Sequence, residues 1–274
     1  MVQKVAIQGI RASFHEEAAV KFFGQHVQII PCTSFRQTFE SLKEGHCDYL
    51  VMAIENSTAG SLMNNYGLLR DYKFPIIGEI YLPIKLHLLA LPGVQLSEIK
   101  QVISHPVALQ QCADFLLEHP EWQIVESSDT AACAKKIKEE KSLNVAAIAN
   151  ATAAQVYDLN ILERGVESSK KNFTRFLIIT KEVIDTPKKA NKSSLCFQVG
   201  NAIGTLAKVL NIFAEYRINI DKIQSMPVVG QPNQYNFYVD IEWNHQHDYD
   251  SAIRNVLKYT INFNIMGEYQ RFVM

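Results

Sequence analysis

The sequence predicts an α/β fold in two parts: a larger α/β body over residues 1–181 and a smaller βαββαβ module over 193–274, joined by a linker at 182–192. Three observations predict it. From residue 4 to about residue 180, short apolar runs alternate with segments of helical period, the rhythm of an α/β chain. Residues 181–192 (KEVIDTPKKANK) are polar, with one Pro and four Lys, a composition that suits a connector. After them the pattern reads strand, helix, strand, strand, helix, strand, the split arrangement called ferredoxin-like.

In the body, apolar runs predict strands at 5–8, 27–30, 49–54, 76–91, 102–104, 123–125, 145–148 and 175–179. Helical spacing places helices at 14–23, 35–43, 62–69, 107–118, 130–138 and 152–157. Pro106 suits a first helical turn, where its missing N–H would be unpaired anyway. In the module, strands are expected at 194–199, 218–224, 235–241 and 268–273, with helices at 203–215 and 249–259.

Charge narrows the function classes. Lys and Arg number 27 against 28 Asp and Glu, so no bulk field draws the chain to nucleic acid or an anionic membrane. Any anionic ligand must be held by local groups. No stretch reaches the roughly 18 apolar residues that span a bilayer, and the first residues lack the order of a secretion signal; the cytoplasm is the expected compartment. The five cysteines are far apart without a C-x-x-C pair, and the eight histidines contain no H-E-x-x-H. Reduced thiols and no metal are expected.

Four segments place a polar cluster at the end of a predicted strand, where open α/β sheets bind ligands. Residues 9–19 form a strand-to-helix turn with Ser13 as candidate N-cap and free N–H groups for an anion. Residues 55–61 bring Glu55, Asn56 and Ser57 after a strongly apolar strand. Ser104-His105-Pro106 is followed by Gln110-Gln111, with Gln111 about one helical turn past Pro106. Asn172-Phe173-Thr174-Arg175-Phe176 sets a hydroxyl beside a guanidinium where a long strand begins. Adjacent strand residues point to opposite faces, so Thr174 and Arg175 share a site only at a strand edge or turn. Each segment alone fits an ordinary capped turn or strand start.

Together, in this order and spacing, they resemble the prephenate dehydratase family over essentially the whole chain. The family's Thr-Arg-Phe triplet is matched by Thr174-Arg175-Phe176, its Glu-Asn-Ser/Thr turn by Glu55-Asn56-Ser57, and its Ser-His-Pro with Gln-Gln-Cys by residues 104–106 and 110–112. The chain departs from the pattern at Ala12, where a second Gly is common, and at Ala59, where an acid is common. A family acid just before the helix at 130 matches loosely at Glu126. The resemblance implies a two-lobed, periplasmic-binding-protein-like catalytic domain and a C-terminal ACT regulatory domain. It also implies conversion of prephenate to phenylpyruvate, a lyase step in phenylalanine biosynthesis needing no cofactor. Thr174 is then expected to assist departure of the ring hydroxyl and Arg175 to clamp a carboxylate. Asn56, Ser57, Ser104, Gln111, Asn172 and Phe176 would line the substrate, and Glu55 would orient them.

In the module, Gly204-Thr205-Leu206 and Gln224-Ser225-Met226-Pro227 are similar to the family's effector segments, with Gln224 and Met226 replacing two charged residues. The resemblance implies L-phenylalanine as allosteric effector and a homodimer or homotetramer. Arogenate dehydration and a non-catalytic amino-acid sensor are the competing readings.

Overall fold

A computed structural model describes residues 2–182 and 189–273. Two compact units emerge, Met1–Tyr72 with Ile80–Ile178, and Lys73–Glu79 with Ile179–Met274. Of the expected linker, residues 183–188 lie outside the described residues.

The first unit begins with β1 (Lys4–Gln8), α1 (Phe14–Phe23), β2 (Gln28–Cys32), α2 (Phe35–Lys43), β3 (Tyr49–Asn56), β4 (Gly60–Ser61), α3 (Met63–Tyr72) and the end of β5 (Ile76–Pro83). It continues as β6 (His87–Ala90), β7 (Gln101–Ser104), α4 (Pro106–Gln111), α5 (Ala113–Leu117), β8 (Gln123–Glu126), α6 (Thr130–Glu140), β9 (Val145–Ala149), α7 (Ala151–Val156) and β10 (Asn160–Arg164), then returns as β11 (Phe173–Thr180). Two sheets result, ordered β2-β1-β3-β11-β5, with β4 on β3, and β10-β6-β9-β7-β8. β1 pairs in parallel with β2 and β3, and β7 with β8 and β9. Val5, Ala6, Ile7, Leu50, Val51 and Met52 are wholly buried, as strands covered on both faces require. The return of β11 into the first sheet makes the body two-lobed.

Two long elements read from the sequence are broken here. The run at 76–91 is two strands in different sheets: Pro83 offers no N–H to continue a ladder, and the chain crosses between lobes at 84–86. The crossing is laced to the returning chain. Ile84 N donates to Asn172 O (2.7 Å), Val166 N to Leu86 O (2.9 Å), and Leu86 N to Glu167 Oε2 (2.9 Å). The helix at 107–118 divides at Cys112, where Ser168 N takes the Gln111 carbonyl (2.8 Å). β10 has no counterpart in the sequence reading.

The second unit contains β12 (Lys192–Gln198), α8 (Thr205–Glu215), β13 (Asn219–Pro227), β14 (Tyr235–Glu242), α9 (Gln246–Val256) and β15 (Ile261–Tyr269). Its antiparallel sheet runs β13-β14-β12-β15, the ferredoxin-like order, over a core that includes Leu195, Phe197, Val209, Phe213, Ile241 and Val256. The last strand lies at 261–269, earlier than the 268–273 expected. Two register shifts against β12 interrupt its alternation, and Asn262 and Asn264 dilute its apolar signal.

Lys192, expected in the linker, is instead the buried first residue of β12. Its ammonium meets Glu79 Oε1 at 3.1 Å, Asp221 Oδ2 at 2.7 Å and Glu242 Oε1 at 3.3 Å. This node, with the contact of Gly267 on Ile76, is why residues 73–79 group with the C-terminal module. Burial and the neighbouring Asp221 carboxyl raise the pKa of Glu242. Lys192→Met removes the ammonium these carboxylates share, although Arg271 Nη1 stays on Glu242 Oε2 (3.1 Å), and urea unfolding at neutral pH should show a loss of about 3 kcal/mol. Because raised folded-state carboxyl pKa values cost stability as pH climbs through them, the deficit should shrink below pH 5.

Candidate active site

Asn56, at the end of β3, organises the site. Its Oδ1 accepts from the backbone N–H groups of Thr58 (3.0 Å) and Ala59 (2.8 Å) in a tight turn. Backbone N–H groups can only donate, so the amide has one orientation, with Nδ2 on the other side. There Nδ2 donates to Asn172 Oδ1 (2.8 Å) and Thr174 Oγ1 (2.9 Å). Asn172 Nδ2 in turn donates to Gln111 Oε1 (3.0 Å), and Gln111 Nε2 returns to Asn56 Oδ1 (3.1 Å) and Thr58 Oγ1 (2.9 Å). Three amides close a ring across the two lobes. Since Thr174 Oγ1 accepts from Asn56, its own O–H remains to be donated.

That hydroxyl faces a cavity of about 230 Å³. The first lobe lines it with Gln8, Ser13, Phe14, His15, Phe35, Asn56, Thr174 and Phe176, and the second with His105, Val107, Ala108, Gln111, Ser128, Asp129 and Thr130. Two helices begin there. Ser13 caps α1 by accepting from Glu16 N (3.3 Å), and Asp129 caps α6 by accepting from Ala132 N (2.7 Å). Gly9, at φ 105°, lies between the lobes: a Cβ on it would stand 2.7 Å from Asp129 Oδ2. Ala12, at the family's second Gly position, adopts a left-handed φ of 70°, held by Asn150 Nδ2 on its carbonyl (2.9 Å) and by the Glu16 carboxylate on its N–H. Tyr157 OH donates to Arg11 O (2.8 Å), a further tie between lobes.

Burial sets the charges around the cavity. It pushes His15 down to about 4, lowers His105 in spite of the Asp129 and Glu126 charges, and raises Asp129. The His15 ring is therefore neutral near pH 7, seated against Phe35 and edge-on to Phe176 at centroid distances of 5.3 and 5.1 Å. Among the described residues no group of three or more His, Cys, Asp or Glu is placed to hold a metal.

Of the residues singled out from the sequence, Asn56, Gln111 and Asn172 form the ring, Thr174 accepts from it, and Phe176 lines the cavity with Thr174. Four others do not line it. Arg175, expected as a carboxylate clamp, is buried away from the lining: β11 begins at Phe173, so alternation gives the cavity face to Thr174 and Phe176. Ser104 is wholly buried and donates to Ile148 O (2.6 Å). Ser57 clasps the start of β11, donating to Lys171 O (3.1 Å) and accepting from Phe173 N (2.9 Å). Glu55 is half-buried in β3, opposite Ser61 of β4. The lining also contains His15 and His105, which lie in the candidate segments 9–19 and 104–106 but were given no role of their own, and Phe35 and Asp129, which the sequence reading did not single out. Just before the helix at 130 it is Asp129 that caps the helix and lines the cavity, whereas Glu126 is exposed and outside the lining; N-cap preference is the signal that points to Asp129.

A sequence profile of the family described as prephenate dehydratase matches residues 5–183. The chain belongs to the prephenate dehydratase family. A relative from Arabidopsis thaliana, arogenate dehydratase/prephenate dehydratase 2, chloroplastic, is 34% identical, the match covering 97% of this chain and 72% of that protein. Among solved structures, the prephenate dehydratase of Arthrobacter aurescens in complex with L-Phe is similar at a TM-score of 0.87 and 26% identity, over 98% of this chain and 90% of that one. GqqA, described as a novel type of quorum quenching acylase, is similar at a TM-score of 0.89 and 27% identity, over 98% of both chains. For this prephenate dehydratase family member, the matched span takes in the whole amide ring and both helix starts.

Proposed function

We propose that the chain converts prephenate to phenylpyruvate, releasing water and carbon dioxide, and that Thr174 assists departure of the ring hydroxyl. The observation that carries this is the Asn56-to-Thr174 hydrogen bond, which occupies the threonine oxygen as acceptor and leaves its O–H as donor toward the cavity. A proton or strong hydrogen bond given to a leaving hydroxyl is worth roughly 10² to 10⁴ in rate. Carbon dioxide departs from the opposite ring carbon as the ring becomes aromatic, so neither redox change nor electron sink is required. The cavity lining contains no Lys or Arg among the described residues, and the first N–H groups of α6 are taken by Asp129, so a substrate carboxylate is assigned to the N–H groups that open α1. Hydrolysis of an acyl group would call for a nucleophile beside a base. Thr174 instead takes its hydrogen bond from an amide.

Arogenate dehydration is a second reading favoured by one observation: the Asp129 carboxyl in the lining offers a partner for the ammonium of arogenate. Comparison of kcat/KM on the two substrates decides between them. For the main reading, Thr174→Ser should keep activity within about tenfold and Thr174→Val should lose roughly 10² or more, with unchanged circular dichroism. An active Val variant would refute the role.

The second unit is assigned as an ACT module that binds L-phenylalanine. Support comes from its ferredoxin-like sheet and from Gly204, which takes a left-handed φ of 81° to start α8 while Thr205 Oγ1 donates to Gly200 O (2.6 Å). Leu206 packs on the core, Gln224 Nε2 donates to Ser225 O (3.0 Å), and Met226 and Pro227 end β13. Exposed Ile223 on β13 and Ile261 and Ile265 on β15 lie on edge strands, which favours a homodimer or homotetramer. Five free thiols suit the cytoplasm. Calorimetry should register L-phenylalanine binding, and sedimentation a species of two or four chains; no heat with phenylalanine would leave the module a pairing device alone.

A further inference from the structure

The substrate read above is a dianion, and the site as described holds one of its two carboxylates. The N–H groups of Phe14 and His15 open α1 on the cavity and make no hydrogen bond within the described residues. Among those residues no Lys or Arg lines the cavity, and Arg175 is buried off it.

Arg11 stands beside this helix start with its charge unspent. Ser13 N donates to Ile10 O (3.2 Å), so residues 10–13 form a tight turn in which the left-handed Ala12 takes the third place, as in a type II turn. Arg11 is the corner before it. Its backbone is held on both sides: Ala12 is wholly buried, and the Arg11 carbonyl accepts from Tyr157 OH of the second lobe (2.8 Å). The side chain is exposed, and its guanidinium makes no hydrogen bond or ion pair among the described residues. Ser13 lines the cavity, and two residues span at most about 7 Å, so a side chain as long as arginine reaches the rim from a fixed base. Burial and the charges of Asp129, Glu16 and Glu139 raise the Tyr157 phenol while Arg11 opposes them, so three acids and one free cation surround this part of the seam.

The chemistry of the substrate suits a separate holder for each carboxylate. In prephenate the ring carboxylate and the 2-oxo acid side chain leave the same carbon, opposite the hydroxyl, so both negative groups enter the site together. A single turn offers them two N–H groups on one flank and a guanidinium on the next.

We propose that Arg11 is a substrate-recognition residue of this site, its guanidinium pairing with the carboxylate that the N–H groups of α1 do not hold. The assignment rests on the dehydratase reading above. Standing outside the lining, the guanidinium is drawn to the rim by the anion, and its field, screened over about 8 Å at physiological salt, reaches the mouth before contact.

Two variants and two readouts test it. Arg11→Ala removes the charge and leaves the carbonyl on Tyr157; Arg11→Lys keeps the charge without the planar fork. Arg11→Ala should raise KM for prephenate about tenfold with kcat within about threefold and an unchanged melting temperature, and Arg11→Lys should recover part of the loss. Added salt should narrow the gap between wild type and Arg11→Ala. Binding without turnover is read by calorimetry with prephenate on Thr174→Val, alone and combined with Arg11→Ala, where the same loss of about tenfold is expected. A double variant that binds within about twofold of Thr174→Val overturns the proposal, as does a fall in kcat with KM unchanged, or a Thr174→Val protein that binds no prephenate. If prephenate binds, loss of Arg11 weakens it, and the wild type consumes none, the contact stands and the dehydratase reading falls.

Discussion

Two backbone N–H groups, those of Thr58 and Ala59, decide which way the Asn56 amide faces, and much of the site follows from that choice. An amide side chain carries a donor and an acceptor of nearly equal size, and only its partners distinguish them. With the oxygen fixed by donors that cannot reverse, Asn172 and Gln111 are oriented in sequence and the Thr174 oxygen is made an acceptor. A buried network in which every member is satisfied resists rearrangement, because each alternative leaves a polar atom unpaired in a low-dielectric setting. The ring thus leaves the Thr174 O–H as a donor beside the cavity.

The same ring joins the lobes. Asn56 and Thr174 belong to the first sheet, Gln111 to α4 beside the second, and Asn172 to the chain returning between them. Tyr157 on Arg11 and Asn150 on Ala12 tie another part of the seam. Between these ties the cavity is bounded by neutral donors, two helix starts, a neutral histidine and the Asp129 carboxyl. Such a surface can hold a dianion by direction as much as by charge, which suits a reaction in which one of the two carboxylates must depart.

Much of this was legible in the sequence. The apolar runs that became β1, β3 and β9 and the βαββαβ succession of elements in the C-terminal module follow from periodicity. The polar turn at residue 56, Gln111 after Pro106, and Asn172 before Thr174 stand out by type and spacing. What escaped depended on partners far away in sequence. A start of β11 two residues earlier than expected turns Arg175 off the cavity face. The hydroxyl of Ser104 is spent on Ile148, 44 residues on, and Lys192 reads as linker until Glu79, Asp221 and Glu242 surround it. His15 looks like an ordinary first-turn residue of α1, and its burial against the rings of Phe35 and Phe176 depends on partners that lie far along the chain.

The central claim is that the orientation of one amide directs the Thr174 proton, and Asn56→Asp tests it most directly. The substitution keeps the shape and the Thr58 and Ala59 bonds, yet puts an oxygen where Nδ2 donates to Thr174. The hydroxyl should then turn to donate to the new carboxylate, and kcat for prephenate should fall by roughly 10² or more with the fold intact. A variant that folds and turns over within a fewfold of the wild type would contradict the account.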